Sequence, residues 1–198
     1  MSAAVASLDL RKAVVKVFAA PGPVPDLRPF IPVFHRWIAG HKLDGILVDV
    51  AEYTHVANGP GVLLVAHEGQ WVLDAEDGKL GMVYSQRRPP EGTPAEHLRR
   101  ALRECLKACA LLEQESEAKG KITLTPNHLS ICVNDRLATP NAPATYAALE
   151  PVVREVLSPL YSDLKLTPEP DPRKRAGIQI TVASAPSISE ILSRANSP

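Results

Sequence analysis

Cysteine is scarce. Three residues in a chain of 198, an odd number, exclude the disulfide framework that staples small secreted domains. An excess of either charge is absent too: 22 basic and 22 acidic side chains cancel, which argues against whole-surface capture of nucleic acid or anionic membrane. No apolar run approaches the roughly 20 residues that a membrane-spanning helix needs. The stretch Met1 to Ser7 is small and uncharged, with no basic region leading into an apolar core, so no secretory signal is read there. These absences predict a cytoplasmic protein. Walker and dinucleotide-binding glycine patterns are missing, as is a Gly-x-Ser-x-Gly nucleophile elbow. No cofactor is therefore expected.

What is present is an ordinary globular composition with heavy punctuation. Apolar residues at 45 % and charged residues at 22 % fit a single domain over 1–198. Nineteen prolines, nearly twice the usual ~5 %, fall mostly between elements. Ala13 to Phe18, bounded by Pro21-Gly22-Pro23, reads as a buried strand. Asp26 is the expected cap of a helix whose stripe is Phe30, Val33, Phe34, Trp37 and Ile38, stopped at Gly40, with Pro32 distorting its first turn. Four strand-like runs follow: Ile46–Val56, Val62–His67, Gln70–Asp74 and Leu80–Ser85. The turn sequences between them (Asn58-Gly-Pro-Gly61, Glu68-Gly69, Asp77-Gly78) mark an antiparallel meander.

Thr93-Pro-Ala-Glu96 is a capping box with proline at the first helical position, predicting a helix over 94–119 stopped by Gly120. Lys121 to Val133 reads as extended. A helix capped by Thr145 runs to about Leu157, and Leu164–Leu166 and Ile178–Val182 are short strands. Pro168 to Arg175 is expected as a mobile loop and 186–198 as a flexible tail. The fold class is thus α+β, a mainly antiparallel meander sheet with two or three amphipathic helices packed on it. An ungapped offset of 119 places Phe30, Val33, Phe34, Trp37 and Ile38 on Leu149, Val152, Val153, Val156 and Leu157, and Pro32 on Pro151. Two duplicated βαββ halves, 12–86 and 121–183, joined by the long helix, stand against chance agreement between two proline-bearing helices.

The densest polar cluster is Asp49, Glu52, Tyr53 and His55, followed by His67 and Glu68. If Asn58–Gly61 is the turn, facing residue numbers sum to about 118, which sets His55 opposite Leu63 and His67 opposite Ala51. The two imidazoles then lie roughly 13 Å apart along the ladder. One metal ion cannot bridge them, and no metal site is expected. The same register makes Asp49 and His67 diagonal neighbours, a carboxylate–imidazole pair at the sheet rim. Cys105, Cys109 and Cys132 read as core residues. Arg87, Arg88, Arg99, Arg103 and Lys107 form a positive stripe suited to an anion or acidic partner, and Arg173-Lys174-Arg175 is a second basic run. Few aromatics accompany either, so nucleic acid is not an expected partner.

The stretches Phe30-Ile-Pro-Val-Phe-His-Arg-Trp-Ile38, Asp49-Val-Ala-Glu-Tyr-Thr-His-Val56 and Asn58-Gly-Pro-Gly-Val62 resemble an uncharacterised group of bacterial proteins of about this length. The resemblance implies a soluble bacterial protein and carries no activity or site residue. The sequence therefore predicts a non-enzymatic accessory or protein-interaction module, a homo-oligomer of a bacterial cytosolic system. The alternative is a small-molecule-binding protein or hydrolase with its site at the Asp49/His67 rim. Position discriminates the two: the rim side chains must converge on one pocket.

Overall fold

A computed structural model describes residues 8–196; Met1 to Ser7, where no signal was read, lie outside the described residues. In chain order the elements are β1 (Ala13–Ala19), α1 (Phe30–Ala39), β2 (Leu47–Glu52), β3 (Val62–Ala66), β4 (Gly69–Asp74) and β5 (Gly81–Gln86). Then come α2 (Pro94–Gln114), β6 (Leu124–Val133), α3 (Pro143–Leu157), β7 (Lys165–Pro168), β8 (Gly177–Thr181) and α4 (Ile188–Ala195). The strands form one sheet in the order β2-β3-β4-β5-β1-β6-β8-β7, with every neighbouring pair antiparallel. The class is α+β, and β2 to β5 are the meander that the glycine turns announce.

Period-two alternation sorts the side chains onto two faces. Ala13, Val15 and Val17 of β1 share one face with Met82 and Tyr84 of β5 and Leu129, Ile131 and Val133 of β6, and all are buried. The helices cover this face alone. α2 lies on β1 and β5, α1 on β2 and β3, α3 on β8 and α2, and α4 on α2. The stripe Phe30, Val33, Phe34 and Trp37 of α1, and Leu98, Leu102, Cys105, Leu106, Cys109 and Leu112 of α2, fill the layer between. No helix among the described residues is long and apolar enough to cross a membrane.

Several boundaries differ from expectation for local reasons. Asp26 does not cap α1; its carboxylate accepts the Arg28 amide at 3.1 Å and binds the Arg28 guanidinium, and Pro29 holds the cap position without a side-chain bond. Pro32 sits in the first turn, where its missing N–H has no intrahelical acceptor in any case. α2 ends at Gln114 rather than Lys119 because Glu115 is claimed by α1: Trp37 Nε1 donates to its carboxylate at 2.7 Å and Arg36 at 2.6 Å. α3 begins at Pro143, and Thr145 donates to the Pro140 carbonyl at 2.7 Å instead of capping. Of the tail expected over 186–198, residues 188–195 form helix α4, started by a Ser187/Glu190 capping box and seated by buried Ile188 and Ile191, and Ser197 and Pro198 lie outside the described residues. The offset of 119 sets Leu47–Glu52 on 166–171, overlapping β7, but Ala13–Ala19 on 132–138, where β6 has already ended at Val133, so the duplication is not shown.

Candidate functional site

The β2–β3 register pairs Asp49 with Val65, Ala51 with Leu63 and Glu52 with Val62, so facing numbers sum to 114 and not 118. The connection is a loop over 53–61, not a tight turn at Asn58–Gly61. Within it the Val56 amide donates to the Tyr53 carbonyl at 3.0 Å and the Gly59 amide to the Val56 carbonyl at 2.9 Å, forming two successive turns. Among the described residues no hydrogen bond or ion pair joins Asp49 to His67, although this register keeps His67 two residues from Val65, the partner of Asp49. Asp49 accepts the Val50 amide at 2.7 Å, while His67 Nδ1 lies 3.3 Å from Arg88. Glu52 accepts the Thr54 amide at 2.7 Å and stands 3.5 Å from His55 Nδ1, beside Tyr53. Glu68 accepts the Ile46 amide at 3.1 Å. Glu52, Tyr53 and His55 thus occupy one end of the hairpin. His67 and Glu68 occupy the other, five residues beyond Val62, or about 17 Å along the strand. They share no pocket. Among the described residues no group of three His, Cys, Asp or Glu side chains could hold a metal ion.

The basic stripe is likewise mated. Arg99 meets Glu155 at 2.6 Å, Lys107 binds Asp44 and lies 3.4 Å from Glu104, and Arg103 lies 3.9 Å from Glu104. Arg87 donates to Gln70 at 2.6 Å, and Arg88 meets His67. Glu104 is a buried carboxylate whose Oε2 has no partner, and burial raises its carboxyl above the ordinary range.

The feature that sequence reasoning missed lies on the opposite, helix-free face of the sheet. Alternate residues of five strands floor a cavity of about 450 Å³. β1 contributes Val14, Lys16 and Phe18, β4 contributes Val72 and Asp74, and β5 contributes Val83 and Ser85. Ser130 and Cys132 come from β6, and Gly177 and Gln179 from β8. No helix covers these residues, yet Val14, Phe18 and Val72 are only 6 %, 6 % and 4 % exposed. Lys16 binds the Asp74 carboxylate, donates to the Lys79 carbonyl at 2.6 Å and lies 5.1 Å from the centre of the Phe18 ring. Phe18 in turn stacks on His128 at 4.1 Å, and burial lowers the imidazole pKa.

A loop roofs this floor. By register, β8 starts at the end of the sheet where β1 starts, since Cys132 faces both Val14 and Gly177. The β4–β5 turn lies at the far end, where Phe18 faces Gly81. Lys174 of the β7–β8 loop nevertheless reaches Asp77 of that turn at 3.3 Å. The loop therefore runs lengthwise over the open face. Asn141 donates to the Glu169 and Asp171 carbonyls at 3.0 and 2.8 Å, and Arg136 donates to the Arg173 carbonyl. Pro168 to Arg175, expected as a mobile loop, is a strap tied at both ends. The sequence held one signal for this face: Lys16 interrupts an otherwise apolar strand, and a charge inside a buried run marks a polar feature on one side.

Chemically the groove is suited to holding a ligand. Cys132, in the cavity lining, and His128, stacked on Phe18 outside it, stand four residues apart on one strand, roughly 13 Å. Desolvation raises the thiol pKa, and Lys16 and Asp74 neutralise each other. Ser130 stands directly across from Lys16, whose ammonium is held by Asp74. No family model matches the sequence, and neither a curated protein nor a solved structure is significantly similar to it.

Proposed function

We propose that this chain is a non-enzymatic binding protein whose working surface is the roofed groove on the open face of its sheet. One observation carries this: a cavity of about 450 Å³, within the range of roughly 300–1,000 Å³ typical of small-molecule sites. Its floor combines apolar Val14, Phe18, Val72 and Val83 with a few oriented polar groups. The separation of His128 from Cys132 supports binding over turnover. Asp49 and His67 each engage another group, the Val50 amide and Arg88, and neither lines the cavity, which favours the groove over the rim as the binding site. Three free thiols suit a reducing compartment, and we place the protein in the cytoplasm.

A thermal-shift screen of small molecules tests the groove, because a ligand of the native state raises Tm by linkage. Hits should stabilise the native protein and leave Ser130→Trp unmoved, since the new ring fills the cavity from a half-buried position. Equal stabilisation of both proteins, or no hit at all, would refute the proposal. A second reading, association through protein contacts, is favoured by Ile46 and Val48. They are 65 % and 61 % exposed on the free outer edge of the sheet at β2, where an added strand finds unpaired backbone groups. Sedimentation of the native chain against Val48→Lys tests it; a native monomer would exclude a homo-oligomer.

A further inference from the structure

We infer that the groove selects a ligand bearing a carboxylate or phosphate group, and that Arg175 holds that group. The inference rests on the groove being a binding site, and it follows from how the charges around the cavity are mated. Lys16 is neutralised by Asp74, Lys174 by Asp77 and Arg173 by Asp171. Arg136 is turned to the Arg173 carbonyl. Glu169, on the same strap as Arg175, lines the cavity too and accepts the Asp171 amide at 3.1 Å, while Glu76 and Lys79 line it from the β4–β5 side. Arg175 lines the cavity, is half-buried, and has neither an ion-pair nor a hydrogen-bond partner among the described residues.

Its position is set by the strand that follows. Arg175 precedes β8 by two residues and joins Gly177 and Gln179 in lining the cavity. Gly177 keeps the space beside it clear, because a Cβ there would lie 2.9 Å from Cys132 Cβ and from the Ile131 carbonyl. Ser130 and Asn134 add a hydroxyl and an amide to the lining. A guanidinium withdrawn from water without a counter-ion is unfavourable, and its planar fork matches a carboxylate or phosphate with two parallel hydrogen bonds. An anion from solution supplies what the chain withholds. The apolar remainder of such a ligand lies on Val14 and Val72.

The test is an amide NMR titration of the full chain at constant ionic strength with inorganic phosphate, succinate and chloride. Phosphate or succinate should shift the Ser130, Gly177 and Gln179 amides saturably, and chloride should not. Arg175→Gln should weaken that binding at least about tenfold, and Arg175→Lys less, because the ammonium keeps the positive charge but loses the two parallel hydrogen bonds of the guanidinium. A response to phosphate alone or to succinate alone identifies the acid. No saturable shift with either anion, or equal affinity in Arg175→Gln, would overturn the inference. Neutral hits from the thermal-shift screen separate the two failures. If they shift groove amides equally in the native protein and Arg175→Gln, the groove binds ligands without selecting anions. If no compound of any charge moves these amides, the binding site itself is refuted. Arg175 is half-buried on a loop, so unchanged dispersion elsewhere in the spectrum certifies the fold of the variants.

Discussion

Truncating Trp37 should be among the most damaging single changes to this chain, and its cost divides into two measurable parts. The indole is 1 % exposed and lies 5.0 Å from the Phe34 ring on the face of α1 that meets the sheet. Its Nε1 donates at 2.7 Å to Glu115, at the point where α2 ends. Trp37→Ala loses both contacts and should cost about 3–5 kcal/mol. At about 2–4 °C per kcal/mol for a chain of this size, Tm should fall by roughly 6–20 °C. Trp37→Phe keeps most of the apolar area and loses the hydrogen bond. A bond to a charged acceptor contributes about 1.5–3 kcal/mol. Because Glu115 keeps Arg36 and is 20 % exposed, the expected loss is at the low end, about 1–2 kcal/mol. Urea melts should show a lower midpoint with an unchanged slope. A cycle with Glu115→Gln should give a coupling of about 1 kcal/mol. If Trp37→Ala and Phe34→Ala each cost under about 1 kcal/mol, α1 is not seated on the sheet. Additive Trp37→Phe and Glu115→Gln would deny the bond its role.

Glu104 should make the protein pH-sensitive in the less common direction. Burial raises its folded pKa above 4.5, so the folded state holds a proton that the unfolded chain releases. Its ionisation penalty is absent below the unfolded value and grows as pH rises through the folded one. Stability of Glu104→Gln relative to native should therefore improve from pH ~4.5 to 7 in denaturant melts; a flat difference refutes this. Asp74→Asn leaves the Lys16 ammonium, whose side chain is 12 % exposed, without its partner, and should cost about 3–5 kcal/mol. Adding Lys16→Met should recover much of that loss, and failure to do so would mean the pair is not a unit. Cys105 and Cys109 are buried and should resist alkylation until the chain unfolds. Mass spectrometry of unreduced, alkylated protein should find three modified thiols, and any native disulfide contradicts it.

The elements were legible where a local pattern decides them. The stripe of α1, the capping box at Thr93 and Glu96 and the alternation of β3 to β5 are written in spacings of two to eight residues. The same holds for α4, whose Ser187/Glu190 box was in plain view but lay in a segment expected to be loose. Register was less legible, because Tyr53, Thr54, His55 and Val56 have strand-forming side chains yet turn twice before Gly61. The shift of four in the facing sum leaves Asp49 and His67 diagonal neighbours, but they turn to the Val50 amide and to Arg88 instead of to each other. The groove was not legible at all. Val14, Cys132, Val72 and Arg175 come from four distant segments, and only the order of strands brings them to one face. Nor does a basic run such as Arg173-Lys-Arg175 disclose that two of its three charges are mated and the third is not.

The place of β1 has a consequence for how the chain is made. It precedes the other strands of the described residues in the chain, yet it sits at the seam of the sheet, with β5 on one side and β6 on the other. The meander and β1 can close once Gln86 has left the ribosome, because those pairings are comparatively local. The other edge of β1 must then wait for 124–133, with all of α2 emerging in between. During that interval Val14, Val15 and Val17 present an apolar strand with unpaired amides to the cell, the kind of edge that recruits foreign strands. A bulky fusion placed close before Ala13 would obstruct both neighbours at once, dividing the sheet into a four-stranded and a three-stranded piece. β1 waits for β6 to pair its second edge, and β6 in turn waits for β8.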